Sequence, residues 1–208
     1  MDKKLIVNAR KPQGDYGSKM IKRMNESHEE MAKWGVSHIN VSEKDIVLDI
    51  GCGGGVNLKR FNQMAPQGKV YGLDYSEVSV EESIEYNKDE VNEGKVEVLQ
   101  GSVSELPFEE EYFDFVTGFE TVYFWPDFIN DLKEIKRVLK KDGAIFICNE
   151  AKGSEKTLEN MKEHIDLLNM TIYSEDELAD SLIEAGFCDC VTFTKEGTDW
   201  VCALGRKP

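Results

Sequence analysis

The sequence predicts an α/β fold: seven strands in a mostly parallel sheet, with helices on both faces and an antiparallel hairpin at the C-terminal end. Short apolar runs alternate with segments of helical periodicity along most of the chain. Such alternation of strands and helices is typical of a parallel sheet covered on both sides. The last two apolar runs instead flank Glu196-Gly197 without a helix between them, which favours antiparallel pairing.

The predicted elements follow a regular order. Seven apolar runs predict strands at residues 45–50, 69–74, 95–99, 112–119, 144–148, 188–194 and 200–204. Helical spacing predicts helices at residues 17–39, 56–64, 77–91, 128–139 and 174–186. Gly35 interrupts the first helix, and Lys141-Asp142-Gly143 predicts a turn before the fifth strand. Ser174 and Glu177 predict a capping box at the start of the last helix.

The chain has 208 residues and neither an internal repeat nor a Pro/Gly/Ser-rich linker, which predicts one domain with an extension. We expect residues 1–42 to form a helical lid and residues 43–208 to form the ligand-binding domain. No apolar run approaches the roughly 18 residues that span a bilayer, and the N-terminus lacks a signal peptide's apolar core. We therefore expect a cytoplasmic protein without a membrane span, as a monomer or homodimer.

The formal net charge is −15, from 40 acidic and 25 basic residues. Proteins that bind nucleic acid neutralise phosphates with clustered Lys and Arg, so this charge disfavours a nucleic-acid partner. An acidic surface keeps a protein soluble, and it also favours neutral or cationic substrates. The net charge does not distinguish these two roles.

The five cysteines are Cys52, Cys148, Cys188, Cys190 and Cys202. The pair at 188 and 190 resembles half of a zinc site, but the sequence offers no second ligand pair at zinc spacing. We therefore expect reduced, structural thiols and no metal site.

A glycine-rich loop, Asp49–Gly55, follows the first predicted strand and precedes a helix. A dinucleotide fingerprint would need a third glycine where this chain has Val56. The carboxylate of Asp49 would repel a pyrophosphate, and no Lys or Arg occurs after it until Lys59. The loop therefore favours a cationic cofactor without phosphates, as S-adenosylmethionine is, over NAD.

Asp74 ends the second predicted strand. An acidic residue at that point can accept hydrogen bonds from ribose hydroxyls, as many adenosine-containing cofactors require. Together with the glycine loop it predicts an adenosine cofactor.

The ordered motifs resemble those of the class I S-adenosylmethionine-dependent methyltransferases, particularly the small-molecule, menaquinone-methyltransferase-like branch. The resemblance covers about residues 47–205 and implies a Rossmann-like fold. The segments that carry it are Val47–Gly55, Gly72–Ser76, Gly101–Phe108, Phe113–Val116, Leu139–Gly143 and Glu184–Phe187.

The resemblance also implies contacts to the cofactor. Gly51 and Gly53 would lie against its methionine part, Asp74 would bind the ribose, and Tyr75 would cover the adenine. Ser102 replaces an Asp of many relatives at the adenine edge, and its hydroxyl can accept the same hydrogen bond without charge assistance. The residues expected at the cofactor are Tyr16, Asp49, Gly51, Cys52, Gly53, Asp74, Tyr75, Gly101, Ser102, Val103 and Glu120.

Other polar and aromatic residues are expected to face the acceptor, because they follow the fourth and fifth strands or lie in the lid. Glu120 is a candidate to hold the cofactor ammonium or to act as a base, and a base is needed only if the acceptor must lose a proton. The expected acceptor contacts are Met24, His28, Tyr123, Trp125, Asn149 and Glu150, with Asn25 a further lid candidate. The candidate catalytic residues are Glu120, Tyr123 and His28.

These observations favour methyl transfer from S-adenosylmethionine to a small molecule by in-line displacement. Residues 120–127 lack the Asn/Asp-Pro-Pro-aromatic sequence typical of enzymes that methylate nucleobase amino groups. Two alternatives stay open: a protein or RNA methyltransferase, and a module that binds S-adenosylmethionine without catalysis.

Overall fold

The structure is a computed structural model that describes residues 3–208. Its strands are β1 (Ile46–Ile50), β2 (Lys69–Asp74), β3 (Val96–Gln100), β4 (Phe113–Phe119), β5 (Leu139–Asn149), β6 (Cys188–Thr194) and β7 (Val201–Arg206). Its α-helices are α1 (Lys3–Ile6), α2 (Gly14–Ser27), α3 (Glu29–Val36), α4 (Val56–Met64), α5 (Glu77–Tyr86), α6 (Lys88–Asn92), α7 (Phe128–Val138), α8 (Glu155–Leu168) and α9 (Glu175–Glu184). Short 3₁₀ helices cover Val7–Ala9 and Val122–Phe124. None of the helices within residues 3–208 has the length and hydropathy to cross a membrane.

The seven strands form one sheet in the order β3-β2-β1-β4-β5-β7-β6. β1 pairs in parallel with β2 and β4, β2 with β3, and β4 with β5. β7 runs antiparallel to both β5 and β6, so the final hairpin inserts its second strand beside β5. The predicted fold class is therefore confirmed.

Each face of the sheet has its own apolar core, because successive side chains of a strand point to opposite faces. On β1, Leu48 and Ile50 belong to one cluster and Val47 to the other. The first cluster is completed by buried residues of α7 and α9, namely Leu132, Ile135, Leu178 and Leu182. The second is completed by buried residues of α3 and α4, namely Met31, Ala32, Leu58 and Phe61.

The first predicted helix, residues 17–39, is two helices in the structure. The break falls at His28, between α2 and α3, whereas Gly35 continues within α3. Gly35 is needed for close packing: a Cβ there would lie 2.5 Å from the Cys148 sulfur on β5. The glycine thus marks a contact with the sheet, and the prediction that it interrupts the helix was wrong.

The long helix predicted at residues 77–91 is also divided, into α5 and α6. Asn87 lies at the break, and its side-chain amide donates to the carbonyl oxygens of Gly55 and Ser83, both at 2.9 Å. This buried side chain therefore ties the end of α5 to the glycine loop.

The predicted turn at residues 141–143 lies inside β5, which begins at Leu139. Asp142 has left-handed backbone dihedrals, with φ +62°. The pairing with β4 shifts register between Phe113 and Phe115. A local irregularity in a continuous strand thus replaces the turn. The capping box at Ser174 and Glu177 is present as predicted.

Candidate active site

The carboxyl ends of β1, β2 and β4 meet beside a cavity. The strand order reverses between β1 and β4, and open parallel sheets bind ligands outside the strand ends at such a point. The cavity encloses about 820 Å³, counted to its open mouth. Three carboxylates from the strand ends reach its wall: Asp49 from β1, Asp74 from β2 and Glu120 from the segment after β4.

The glycine loop forms the floor of this cavity. Gly51 and Gly53 have φ values of +69° and +52°, which side chains rarely permit. The Gly51 N–H donates to the Leu73 carbonyl at 2.7 Å, so the loop is tied to β2. A Cβ at Gly51 would collide with the Thr121 hydroxyl, whereas the nearest atom to a Cβ at Gly53 would be 4.0 Å away. The bare backbone at Gly53 therefore leaves room for a ligand.

Asp49 is a buried carboxylate at the end of β1, only 2% exposed. The Thr117 hydroxyl donates to its Oδ1 at 2.6 Å. Burial raises the pKa of Asp49 to about 7, and the negative charge of Asp74 adds to the increase. The hydrogen bond from Thr117 and the positive charge of Arg60 oppose it. A cationic ligand beside Asp49 would stabilise its ionised form.

Asp74 holds the loop and the following helix together. Its Oδ2 accepts the Gly53 N–H at 3.0 Å, and its Oδ1 accepts the Ser76 N–H at 2.9 Å. Burial raises the pKa of Asp74, and these backbone bonds oppose the increase. A carboxylate can accept about four hydrogen bonds, so two acceptor positions remain for ribose hydroxyls.

The N-terminal segment covers β2 and the start of α5. The Ser76 hydroxyl donates to the Pro12 carbonyl at 2.7 Å, and the Tyr75 hydroxyl donates to the Arg10 carbonyl. The Lys11 ammonium lies 5.1 Å from the centre of the Tyr75 ring. Arg10 and Pro12 also line the cavity, so this segment closes it on the Asp74 side.

A polar cluster stands where β4 and β5 end. The Tyr123 hydroxyl donates to Glu120 Oε1 at 3.1 Å, and the Glu150 N–H donates to the same oxygen. His28 Nε2 lies 3.9 Å from Glu120 Oε2 and 3.6 Å from Glu150 Oε2. Glu120 itself has a left-handed backbone, with φ +57°. The cluster thus joins the junction of α2 and α3 to the carboxyl ends of β4 and β5.

Burial disfavours charge within this cluster. It raises the pKa of Glu120 to about 8, and the neighbouring Glu150 adds to the increase. Burial lowers the pKa of His28 to about 4 and raises that of Glu150. The imidazole is therefore uncharged at neutral pH.

Eight of the predicted site residues line the cavity, and Asn25 lies with them. They come from α2, from the helix break and from three strand ends, as the rule on switch points anticipates. These eight residues are Met24, His28, Asp49, Gly51, Cys52, Gly53, Asp74 and Glu120.

Several residues expected at the acceptor lie away from the cavity wall. Trp125 is 9% exposed and packs in the core with Phe128, and its indole N–H donates to the Thr121 hydroxyl at 3.3 Å. Asn149 is fully buried, and its side-chain amide has no hydrogen-bond partner within residues 3–208. Neither side chain lines the cavity, because both are enclosed by the sheet and its helices, and their acceptor contacts stay predictions. Tyr123 is buried, and its hydroxyl donates to Glu120.

The adenine-side residues also lie outside the cavity lining. Tyr16 is 40% exposed and carries Lys19 over its ring. Val103 is buried in the core, while Ser102 is exposed and its hydroxyl accepts the Ser104 N–H at 3.3 Å. Gly101 donates its N–H to the Asp74 carbonyl at 3.0 Å. The roles of these residues at the cofactor stay predictions.

Sequence reasoning missed an arginine in the cavity wall. Arg60 of α4 forms an ion pair with Glu29 of α3, with 2.9 Å between Nη2 and Oε2. Both residues line the cavity, as does Thr121. Arg60 follows Val56, another lining residue, by one helical turn, and that spacing was a signal that could have identified it.

The cavity suits S-adenosylmethionine on charge and shape. The cofactor carries a sulfonium and an ammonium, and Asp49, Asp74 and Glu120 supply carboxylates around the space. The open backbone at Gly53 would accept its methionine part, and Asp74 retains acceptors for the ribose. The residues present therefore fit this cofactor.

Comparison with known proteins agrees with this assignment. The family described as "Methyltransferase domain" matches residues 48–147. A demethylmenaquinone methyltransferase of Lactococcus lactis subsp. lactis is 38% identical over 122 residues, which are 58% of this chain and 47% of the relative. The chain thus spans about half the length of that curated relative.

Solved structures share the fold. Phosphoethanolamine N-methyltransferase 2 of Haemonchus contortus, in complex with S-adenosylhomocysteine, has a TM-score of 0.80 at 15% identity, covering 93% of this chain and 58% of that chain. A SAM-dependent methyltransferase of Aquifex aeolicus has a TM-score of 0.70 at 23% identity, covering 90% and 97%. The match identifies residues 48–147 as a methyltransferase domain, and the glycine loop and the carboxylates after β1 and β2 support a class I S-adenosylmethionine-dependent methyltransferase.

Proposed function

We propose that this chain transfers the methyl group of S-adenosylmethionine to a small-molecule acceptor. The observation that carries the proposal is the cavity at the ends of β1, β2 and β4: its floor is the glycine loop, and its wall continues past Glu120 to His28. The first part suits the cofactor, and the second leaves a separate region for an acceptor.

The acceptor region is formed by the lid and by the segment after β4. Met24 and His28 approach from α2 and its C-terminal end, and Glu120 and Phe124 approach from the sheet edge. S-adenosylmethionine supplies a methyl group on an excellent leaving group, so positioning of the acceptor provides much of the catalysis. Closure by residues 1–42 would exclude water from this region. We therefore propose that these residues act as the lid.

Two features support a small acceptor over a macromolecule. The net charge of −15 opposes binding to nucleic acid. The curated relative is named for a small molecule, demethylmenaquinone.

The first test is calorimetric titration of the full chain with S-adenosylmethionine, S-adenosylhomocysteine and NAD. We expect both sulfur nucleosides to bind and NAD to give no heat. Asp74→Ala should weaken S-adenosylhomocysteine binding about tenfold or more, because a hydrogen bond to a charged group contributes about 1.5–3 kcal/mol. Ser102→Ala should have the smaller effect.

Thermal melts of both variants would show whether they remain folded. Equal affinities for the two folded variants would contradict the ribose contact of Asp74, and absence of heat with both sulfur nucleosides would remove the cofactor assignment. Methyl-labelled cofactor incubated with metabolite extracts should then yield a labelled small molecule, identified by mass. Binding without any labelled product would favour a non-catalytic module.

A further inference from the structure

Three side chains from separate parts of the chain converge at the wall of the cavity. His28 comes from the junction of α2 and α3, Glu120 from the end of β4 and Glu150 from the end of β5. One ligand atom from each, the imidazole nitrogen and two carboxylate oxygens, lies within 4.8 Å of the others. Nitrogen and oxygen donors in such a group are ligands for divalent metal ions.

The separations within this group are too long for direct hydrogen bonds. His28 Nε2 lies 3.6 Å from Glu150 Oε2 and 3.9 Å from Glu120 Oε2, whereas hydrogen bonds from nitrogen to oxygen are typically about 2.7–3.2 Å long. Ligand atoms about 2.1 Å from a tetrahedral ion are about 3.4 Å apart. The two distances to the imidazole nitrogen are about 0.2 and 0.5 Å longer than this spacing, and all three ligand atoms lie within 4.8 Å of one another.

The surrounding hydrogen bonds orient Glu120 toward the same point. Its Oε1 accepts bonds from the Tyr123 hydroxyl and the Glu150 N–H, so Oε2 is the oxygen left to face His28. Tyr123 is fixed in turn by the Ala151 N–H, which donates to its hydroxyl at 3.1 Å. Metal-binding carboxylates are typically held by such outer hydrogen bonds.

The group of His28, Glu120 and Glu150 contains neither Lys nor Arg. Within residues 3–208, the ion-pair partner of both Glu120 and Glu150 is His28. When both carboxylates are ionised they repel each other, and neither forms an ion pair with Lys or Arg in the described part of the chain. A divalent ion would remove that repulsion.

We propose that His28, Glu120 and Glu150 bind a divalent metal ion. Three protein ligands leave at least one coordination position, and His28 and Glu120 line the cavity, so that position would face the acceptor region. No spacing in the sequence predicts this site, because each ligand comes from a different segment.

The test is Mn²⁺ uptake by the full chain after chelator treatment, followed by electron paramagnetic resonance of the free ion. Mn²⁺ is chosen because it prefers carboxylate oxygen ligands to the thiolates that Zn²⁺ binds readily. We expect one Mn²⁺ per chain. His28→Gln and Glu150→Gln should each weaken binding about tenfold or more.

His164→Gln and Glu81→Gln are matched controls on other helices, and both should bind Mn²⁺ as the wild type does. Thermal melts would verify folding, and the half-exposed Glu150 gives a variant with little effect on packing. Absence of uptake at millimolar Mn²⁺ would overturn the proposal. Equal uptake by wild type, His28→Gln and Glu150→Gln would also overturn it, since the ion would then be bound elsewhere.

Discussion

Asp49 is part of the buried strand β1 and also lines the cavity that suits the cofactor. Its neighbours on β1 are apolar and buried, and it shares their burial although it is a carboxylate. The hydrogen bond from Thr117 and the charge of Arg60 only partly offset the loss of solvent, so the protonated and ionised forms are about equally populated at neutral pH. The charge of a bound cofactor would favour the ionised form.

Cofactor affinity is therefore expected to increase with pH. Below the raised pKa of about 7, Asp49 must lose a proton before it can pair with a cation, whereas above it the carboxylate is already ionised. Binding of S-adenosylmethionine should thus strengthen between about pH 6 and pH 8 and level off above that range. The charges facing Asp49 are those of Arg60 and Asp74.

Calorimetry across this pH range, in buffers of different ionisation enthalpy, would also detect the released proton. Asp49→Asn should show a weaker pH dependence than the wild type, while Asp176→Asn, an exposed residue at the start of α9, should match it. The same slope in wild type and Asp49→Asn would assign the proton to another group.

At the scale of elements, α3 is held against the sheet by a contact that helix propensity does not reveal. Gly35 faces the sulfur atoms of Cys148 and Cys202, which lie opposite each other on β5 and β7. His28 lies at the N-terminal end of the same helix. The packing of α3 against the sheet therefore also determines the position of that imidazole.

Gly35→Ala should lower the melting temperature. Helix propensity alone predicts a gain of about 1 kcal/mol for this substitution, but the added Cβ would lie 2.5 Å from the Cys148 sulfur. Overpacking of this kind costs about 1–3 kcal/mol. Thermal melts would measure the balance.

Cys148→Ala provides the matched rescue, because it removes the sulfur that the new methyl group meets. Gly35→Ala should be less harmful in that background than in the wild type. If Gly35→Ala instead raised the melting temperature, helix propensity would dominate and the close contact would have no energetic weight.

At the scale of the whole molecule, the acidic excess acts on the entire fold. A net charge of −15 favours solubility and opposes compaction through self-repulsion. The ion pairs of the described residues, such as Lys69 with Glu97, are largely exposed and contribute little each. Repulsion is therefore the larger electrostatic effect at low salt.

The melting temperature should increase by a few degrees between about 0.05 M and 0.5 M NaCl, because salt screens this repulsion. The increase should be smaller at about pH 5.5, closer to the sequence isoelectric point of 4.7, where the net charge is reduced. Scanning calorimetry at both pH values would measure it. A melting temperature that decreases with salt would show that the ion pairs outweigh the repulsion.

The local sequence pattern predicted most of the strands and helices. β2 and β6 have the predicted bounds, and β1, β4 and α7 differ by one residue at an end. Where prediction failed, a distant contact decided the local structure. The helix after β2 is divided at Asn87, whose side chain bonds to Gly55. Gly35 lies within α3 because the Cys148 sulfur leaves no room there for a Cβ, and not because the helix ends at that residue.

The sequence by itself determined the order of strands and helices and the class of cofactor. Asp49, Gly51, Gly53 and Asp74 follow two strands of one sheet, and parallel strands bring their ends together. Only the tertiary structure decided that Trp125 and Asn149 are enclosed and that Arg60 reaches the cavity. It alone also brought His28 to Glu120 and Glu150. The physical reason is that such contacts depend on how separate segments pack, and the period of any one segment does not record the side chains that another segment presents to it.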